Sequence, residues 1–218
     1  MHIAGVRIQF VAALLLALLL LATAACTPVY ADVPYAAKPY QRTLIRTAHA
    51  QWGLDAPIAT FAAQIHQESA WQPTATSWVG AQGLAQFMPA TAAWIINVFP
   101  ELKNVDPYNP SWSMRAMVRY DQWLHARLKA DTNCDRWAMV LSAYNGGLGW
   151  VLRDKKLAVA NGNSRWLWWD NIERHNAGRS AANFSENRDY PRRILAQHEP
   201  QYIAAGWGRG VCAARFSL

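Results

Sequence analysis

The stretch PIATFAAQIHQES, residues 57–69, has the spacing of an amphipathic helix that ends in an acid. Its proline suits the first position of a helix. Apolar residues at i, i+3, i+4 and i+7 predict one buried face, formed by Ile58, Phe61, Ala62 and Ile65. Glu68 continues that face at its C-terminal end, and burial of a carboxylate predicts a raised pKa. A glutamate at a frayed helix end fits the same spacing, so periodicity alone assigns Glu68 no role.

Helical spacing between glycines and prolines continues along the chain, and no run alternates as a strand does, which predicts an all-α fold. The expected helices are residues 41–52, 57–69, 89–98, 111–129, 135–145, 148–159 and 188–204. Within the helix at 135–145, the segment from Trp137 to Tyr144 is apolar nearly all round, which is typical of a helix enclosed by others. The helix at 111–129 has core spacing at Met114, Met117, Val118, Leu124 and Leu128.

The first 25 residues predict a signal peptide, because they contain Arg7, no acid and an apolar run at residues 10–22. Two cleavage positions fit. Cleavage before Cys26 would leave that cysteine as a candidate for lipidation, whereas Ala31 ends an ordinary small-residue site. An uncleaved anchor over a slightly longer run is also open. Residues 26–39 contain three prolines and predict a short tether, followed by one domain over residues 40–218.

The composition narrows the partners of the chain. Lys and Arg number 21 against 14 Asp and Glu, giving a net charge of +7, and removing Arg7 with the signal peptide leaves +6. This excess fits an acidic polymer such as nucleic acid, anionic lipid or peptidoglycan with its peptide carboxylates, and a solvated basic surface explains it as well. Export argues against nucleic acid. The chain also has 12 tryptophans, whose flat rings suit both sugar faces and protein cores.

Cys134 and Cys212 remain after either cleavage. In an exported chain they are candidates for one disulfide, and the alternative is that they are two unpaired small apolar residues. The six histidines show no metal-binding spacing: His66 lies two residues before Glu68, hence on another side of the helix, and no HExxH motif occurs. We therefore predict neither a metal nor a cofactor.

Four motifs occur in order along the chain: QESAW at 67–71, GAQGLAQFMPATA at 80–92, AYNGG at 143–147 and ENRDY at 186–190. Together they resemble the soluble lytic transglycosylases of the goose-type lysozyme superfamily, over about residues 41 to 205. The resemblance implies a single lysozyme-like helical domain with a substrate cleft. It also implies non-hydrolytic cleavage of peptidoglycan between N-acetylmuramic acid (MurNAc) and N-acetylglucosamine (GlcNAc), which yields 1,6-anhydroMurNAc ends.

The same resemblance implies a role for each matching residue. Glu68 would be the general acid and afterwards the base, and Tyr190 would hydrogen-bond its carboxylate. Ser69 would orient the acid or support the helix end. The substrate cleft would include Gln86, Tyr144 and Asn145. Ala85 departs from the usual methionine of the second motif, which puts the fine shape of the cleft in doubt.

A lone glutamate suits this chemistry, because the acetamido group of the substrate can replace the second carboxylate of an ordinary glycosidase. Asp106, Asp121 and Glu186 stay open as a second acid. Two other functions fit the same motifs: a lysozyme-type hydrolase, including a phage endolysin, and a non-catalytic glycan-binding component of a secretion or tail apparatus. We expect a monomer in the periplasm or cell envelope that binds peptidoglycan glycan strands.

Overall fold

The computed structural model describes residues 32–216, and throughout this range the regular elements are helical, as predicted. The α-helices are α1 Gln41–Trp52, α2 Ile58–Ser69, α3 Pro89–Val98, α4 Pro110–Arg127, α5 Asn133–Gly146, α6 Leu148–Ala160, α7 Ala181–Arg192, α8 Glu199–Ala204 and α9 Ala213–Phe216. Extended pairing in the described residues is limited to isolated bridges in the loop between α2 and α3. None of the helices in this range is long and apolar enough to cross a membrane.

Helix α5 lies at the centre of the fold. Its residues from Trp137 to Ala143 are buried on every side, and α4, α6 and α7 pack around it. Thr132 begins the helix by accepting a hydrogen bond from the amide of Asp135, which satisfies one of its unpaired N–H groups. The prediction of an enclosed central helix is therefore confirmed.

The apolar face of α2 is buried as its spacing predicts, and it packs against the chain at residues 193–204. Helix α4 begins at Asn109, whose side chain accepts from the amides of Ser111 and Trp112. Its predicted core residues are all fully buried. These two helices form much of the framework that holds the loop between α2 and α3.

The prediction of one α-helix over residues 188–204 is wrong in two respects: the helix starts earlier, and a π-helical segment interrupts it. Helix α7 begins at Ala181, where Ser180 accepts a hydrogen bond from the amide of Asn183 at 3.3 Å. Pro191 lies inside α7 instead of near its start, and a π-helical segment at Arg193–His198 follows before α8. Proline removes a backbone donor from the helix interior, and π segments accommodate such local irregularity.

The N-terminal boundary of the domain also differs from the prediction. Residues Tyr35–Tyr40 form a 3-10 helix in which Ala37 is fully buried, so the last part of the predicted tether belongs to the folded unit. The predicted signal peptide and Cys26 lie outside the described residues. At the other end, Cys134 and Cys212 are joined in a disulfide with a Cα–Cα distance of 4.8 Å, which fastens the C-terminal segment to the start of α5.

Candidate active site

Glu68 lies in the last turn of α2, at the floor of a cleft. The helix ends directly afterwards because Ala70 and Trp71 adopt left-handed backbone conformations, with φ of 48° and 66°. Trp71 is then buried, and its indole N–H donates to the hydroxyl of Tyr202 at 2.6 Å. This turn directs the chain into the core and leaves Glu68 at the surface of the cleft, where it is partly exposed.

The hydroxyl of Tyr190 donates to Oε1 of Glu68 at 2.5 Å. Burial raises the pKa of Glu68 to about 8, the hydrogen bond from Tyr190 acts in the opposite direction, and the negative charge of Glu186 adds to the rise. Burial and the charge of Glu68 likewise raise the pKa of Tyr190, so its hydroxyl remains a donor. Glu68 is therefore protonated at neutral pH, which is the state that a general acid needs.

The cleft has a volume of about 820 Å³. The loop from Ser77 to Met88 forms one wall, and residues between Ala182 and Arg193, on α7 and just after it, form another. Tyr120 on α4 and the end of α5 also line the cleft. Residues far apart in the sequence thus surround one carboxyl group.

The structure brings most of the predicted site residues to this cleft. It is lined by Glu68, Gln86, Tyr144, Asn145 and Tyr190. Ser69 does not line it. Its hydroxyl donates to the carbonyls of Ile65 at 3.3 Å and Leu84 at 2.9 Å, so it joins the helix end to the following loop.

Gln86 and Tyr144 contact the backbone of the cleft wall. The amide of Gln86 donates to the carbonyls of Gly83 at 2.9 Å and Ala75 at 3.2 Å, and its own φ is 48°. The hydroxyl of Tyr144 donates to the carbonyl of Ala85 at 2.8 Å. Both side chains therefore fix the shape of the loop in addition to facing the cavity. Asn145 is exposed, and its amide N–H lies 3.5 Å from Glu186.

The three acids that the sequence left open as a second carboxylate lie in different places relative to the cleft. Asp106 accepts from the amides of Tyr108 and Asn109 in a turn outside the cleft. Asp121 is completely buried, so no substrate can reach it. Glu186 lines the cleft with Glu68. A second carboxylate able to act on substrate is therefore restricted to Glu186 and Asp189 among the residues that line this cavity.

A buried polar pair lies behind the site. Gln64 is on α2 one turn before Glu68, hence on the same face of the helix, and its amide faces Asp121 on α4. Both side chains are fully buried, and their polar atoms make no hydrogen bond of good geometry within residues 32–216. Burial raises the pKa of Asp121 well above its usual range, Gln64 opposes this, and the charge of Glu68 adds to it. Gln64 sits in an apolar run, so periodicity gave no sign of this pair.

The residues that line the cleft do not share the basic excess of the whole sequence. Arg193 is the cationic side chain among its lining residues, beside Glu186 and Asp189. The basic excess of the sequence is therefore not concentrated among the residues that line this cavity. Elsewhere, the described part of the chain contains no group of three His, Cys, Asp or Glu side chains arranged to bind a metal.

A family model described as "Transglycosylase SLT domain" matches residues 43–167, which is more than half of the chain. The chain belongs to the transglycosylase SLT domain family. Glu68, Gln86 and Tyr144 of this SLT domain lie within the matched residues. Tyr190 lies beyond them, and the tertiary structure brings its hydroxyl into hydrogen-bonding distance of Glu68.

This SLT chain is similar to membrane-bound lytic murein transglycosylase F of Pasteurella multocida, with 33% identity over 120 residues. The alignment covers 55% of this chain and 22% of that relative, so the chain spans less than a quarter of the relative's length.

Solved structures show the same fold at lower identity. The 70-kDa soluble lytic transglycosylase of Escherichia coli has a TM-score of 0.56 and 23% identity, covering 77% of this chain and 24% of that one. An inactive glutamate-to-glutamine mutant of the lytic transglycosylase Slt from Pseudomonas aeruginosa also has a TM-score of 0.56 and 23% identity, covering 79% and 25%.

Proposed function

We propose that the chain is a lytic transglycosylase that cleaves the β-1,4 bond between MurNAc and GlcNAc in peptidoglycan and leaves 1,6-anhydroMurNAc ends. The observation that carries this proposal is the position of the Glu68 carboxyl group, which is open to a cleft and accepts a hydrogen bond from Tyr190. Burial raises its pKa to about 8, which favours the protonated form at neutral pH. Membership of the SLT family and the relative's activity as a lytic murein transglycosylase support it.

In the first step, Glu68 donates its proton to the glycosidic oxygen. The bond from that oxygen to C1 of MurNAc breaks, and GlcNAc leaves with a free hydroxyl group. The acetamido oxygen of MurNAc bonds to C1 and takes up the positive charge, so no protein nucleophile is needed. Tyr190 hydrogen-bonds the carboxylate that this step creates.

In the second step, the 6-hydroxyl oxygen of MurNAc attacks C1 and displaces the acetamido oxygen. Its proton passes to the carboxylate of Glu68, which restores the acid. A carboxyl group with a pKa of about 8 suits both transfers, because it gives and takes a proton near neutral pH.

The test is product analysis on purified peptidoglycan sacculi. We expect muropeptides with anhydro ends, each lighter by one water than the reducing-end product in mass spectrometry. Glu68→Gln should lower the rate at least about 100-fold, since it removes the proton donor. Glu101→Gln is the matched control, because Glu101 pairs with Arg119 away from the cleft.

Other products would replace this proposal. Reducing ends would make the chain a lysozyme-type hydrolase, including a phage endolysin, with water as the acceptor. Unchanged lysis by the Glu68→Gln variant would remove Glu68 from the chemistry. Sacculus binding without any cleavage products would favour a glycan-binding component of a secretion or tail apparatus.

We further propose that the chain acts in the cell envelope as an exported monomer, because the similar enzyme of Pasteurella multocida is membrane-bound and peptidoglycan lies there. The finer alternatives concern residues 1–31. Mass spectrometry of the mature N-terminus separates a lipidated Cys26 from cleavage after Ala31. Size-exclusion chromatography with light scattering tests the oligomeric state.

A further inference from the structure

Trp78 is exposed to an unusual degree at the rim of the cleft. Its side chain lines the same cavity as Glu68, yet 97% of its surface is open. Tryptophan is buried on average, because exposing so large an apolar ring to water is unfavourable. Val79 and Met88, which also line the cavity, are exposed as well. The rim therefore presents an apolar surface that no part of the described chain covers.

The backbone beneath Trp78 is held by several hydrogen bonds. The amide of Ser77 donates to the carbonyl of Ala81 at 2.9 Å, and the amide of Gly80 donates to the carbonyl of Ser77 at 2.9 Å. The hydroxyl of Ser77 also accepts from the amide of Ala81 at 2.9 Å. Gly80, with φ of +87°, completes a three-residue loop of a common hairpin type. Trp78 is thus presented from a fixed turn.

The cleft is also lined by the polar side chains of Glu186, Asp189 and Arg193, on the wall formed by residues 182–193. A ligand that fits both walls has one apolar face and polar edges. A pyranose ring in a glycan has this form, with C–H groups on its face and hydroxyl and acetamido groups at its edge. An acyl chain would leave the charged wall without partners, and an acidic peptide would gain little from the aromatic rim.

We propose that Trp78 is a specificity-determining residue that stacks on the apolar face of one sugar ring of the glycan strand. This inference rests on the proposed function, because it takes the occupant to be the same strand that Glu68 cleaves. The fixed turn keeps the cost of ordering low, so the contact should add to affinity. Replacing the ring by a methyl group should weaken binding roughly 3- to 10-fold, as for other aromatic contacts.

The experiment measures binding in the Glu68→Gln background, which holds the substrate uncleaved. Co-sedimentation with purified sacculi and titration with the GlcNAc hexamer, chitohexaose, give two affinities for each variant. We expect Trp78→Ala to weaken both by a similar factor and Trp78→Phe to retain part of the binding. Trp166→Ala is the control, since Trp166 is also exposed, at 37%, but lies outside the cavity.

In the chain with Glu68 intact, Trp78→Ala should raise KM for soluble glycan strands and leave kcat nearly unchanged, because a stacking contact forms before the reaction and persists through it. Unfolding curves should be unaltered, since Trp78 packs on little. Equal affinity of Trp78→Ala and the parent for both probes would overturn the proposal. A loss confined to sacculi would also overturn it, because the ring would then contact peptide instead of sugar.

These outcomes are separable from failure of the proposed function. Reducing ends in place of anhydro ends would reject the transglycosylase reaction while the Trp78 effect on chitohexaose persists. Anhydro ends together with unchanged binding by Trp78→Ala would reject the proposed stacking of Trp78 and leave the transglycosylase reaction in place.

Discussion

The carboxyl group of Glu68 has two polar neighbours with opposite effects on its pKa. The hydrogen bond from Tyr190 stabilises the carboxylate and lowers the pKa, whereas the charge of Glu186 destabilises the carboxylate and raises it. Burial exceeds both effects and brings the pKa to about 8. Since the proposed mechanism begins with the protonated form, activity should decline as pH rises through this value.

These neighbours predict shifts of opposite sign in the pH dependence of kcat/KM. Tyr190→Phe removes the hydrogen bond, so the pKa of Glu68 rises and the alkaline limb moves to higher pH. Glu186→Gln removes the nearby negative charge, so the pKa falls and the limb moves to lower pH. The measurement is kcat/KM on soluble glycan strands from pH 5 to about 10, the range that brackets such a group.

The Glu101→Gln variant serves as the control, and its limb should coincide with that of the parent chain. If both cleft variants moved the limb in the same direction, a general loss of structure would explain the data better than local electrostatics. If neither moved it, Glu68 would not be the group that titrates in this range.

The site could be predicted from the sequence only where local spacing or motif order carries information. The position of Glu68 follows from the apolar face of α2, but its partner Tyr190 is 122 residues away and was expected from family resemblance alone. The pairing of Gln64 with Asp121 depends on how two helices meet, which neither helix encodes by itself. The exposure of Trp78 likewise depends on the tertiary fold, because tryptophan is buried on average and the local sequence does not mark this one as an exception.

At the scale of elements, the loop between α2 and α3 shapes one wall of the cleft and depends on two glycines. Gly83 has φ of +73°, and a Cβ atom built there would lie 1.7 Å from the carbonyl oxygen of Pro107. Gly80 has φ of +87°, but a Cβ atom there meets nothing within 4 Å. Gly83 therefore permits a close approach of two backbones, whereas Gly80 only permits a left-handed conformation.

We expect Gly83→Ala to destabilise the fold by more than about 3 kcal/mol, because the backbone near Pro107 must move and the left-handed conformation adds its own cost. Gly80→Ala should cost only about 1 kcal/mol, from the conformation alone. Urea unfolding monitored by circular dichroism measures both. Equal costs at the two positions would show that the approach to Pro107 does not constrain the loop.

Helices were predictable from the sequence where they bury an apolar face, as α2, α4 and α5 do. Helix α7 begins with AANFSENRD, whose residues are mostly polar and form no stripe, so its first seven residues were missed. Its stability comes instead from long-range polar contacts. Asn187 bonds Ser142 on α5, and Arg188 bonds the buried carboxylate of Asp154 on α6. Such contacts exist only after the helices have packed.

In the whole molecule, the C-terminal segment links the central helix to the helix that carries the proposed acid. The disulfide joins Cys212 to Cys134 at the start of α5. The buried carboxylate of Glu199 accepts from the amides of Val211 and Cys212 and from the hydroxyl of Thr60 on α2. The chain around Cys212 is thereby joined both to α5 and, through Glu199, to α2.

The separation of 78 residues between the two cysteines predicts, from the loop-closure entropy of the unfolded chain, that the disulfide contributes about 4 to 5 kcal/mol to the free energy of unfolding. The bond restricts the unfolded chain more as the closed loop grows longer. A double variant, Cys134→Ser with Cys212→Ser, should therefore unfold at a lower urea concentration than the oxidised parent. Adding a reductant to the parent should bring its midpoint close to that of the double variant.

The double variant in reductant is the internal control, since its midpoint has no disulfide to lose and should stay constant. Its activity near room temperature should remain measurable, because Glu68 and Tyr190 are held by α2 and α7 and not by the bond itself. An identical urea midpoint for the parent with and without reductant would contradict a stabilising role. Non-reducing peptide mapping of the parent would then decide whether Cys134 and Cys212 are paired at all.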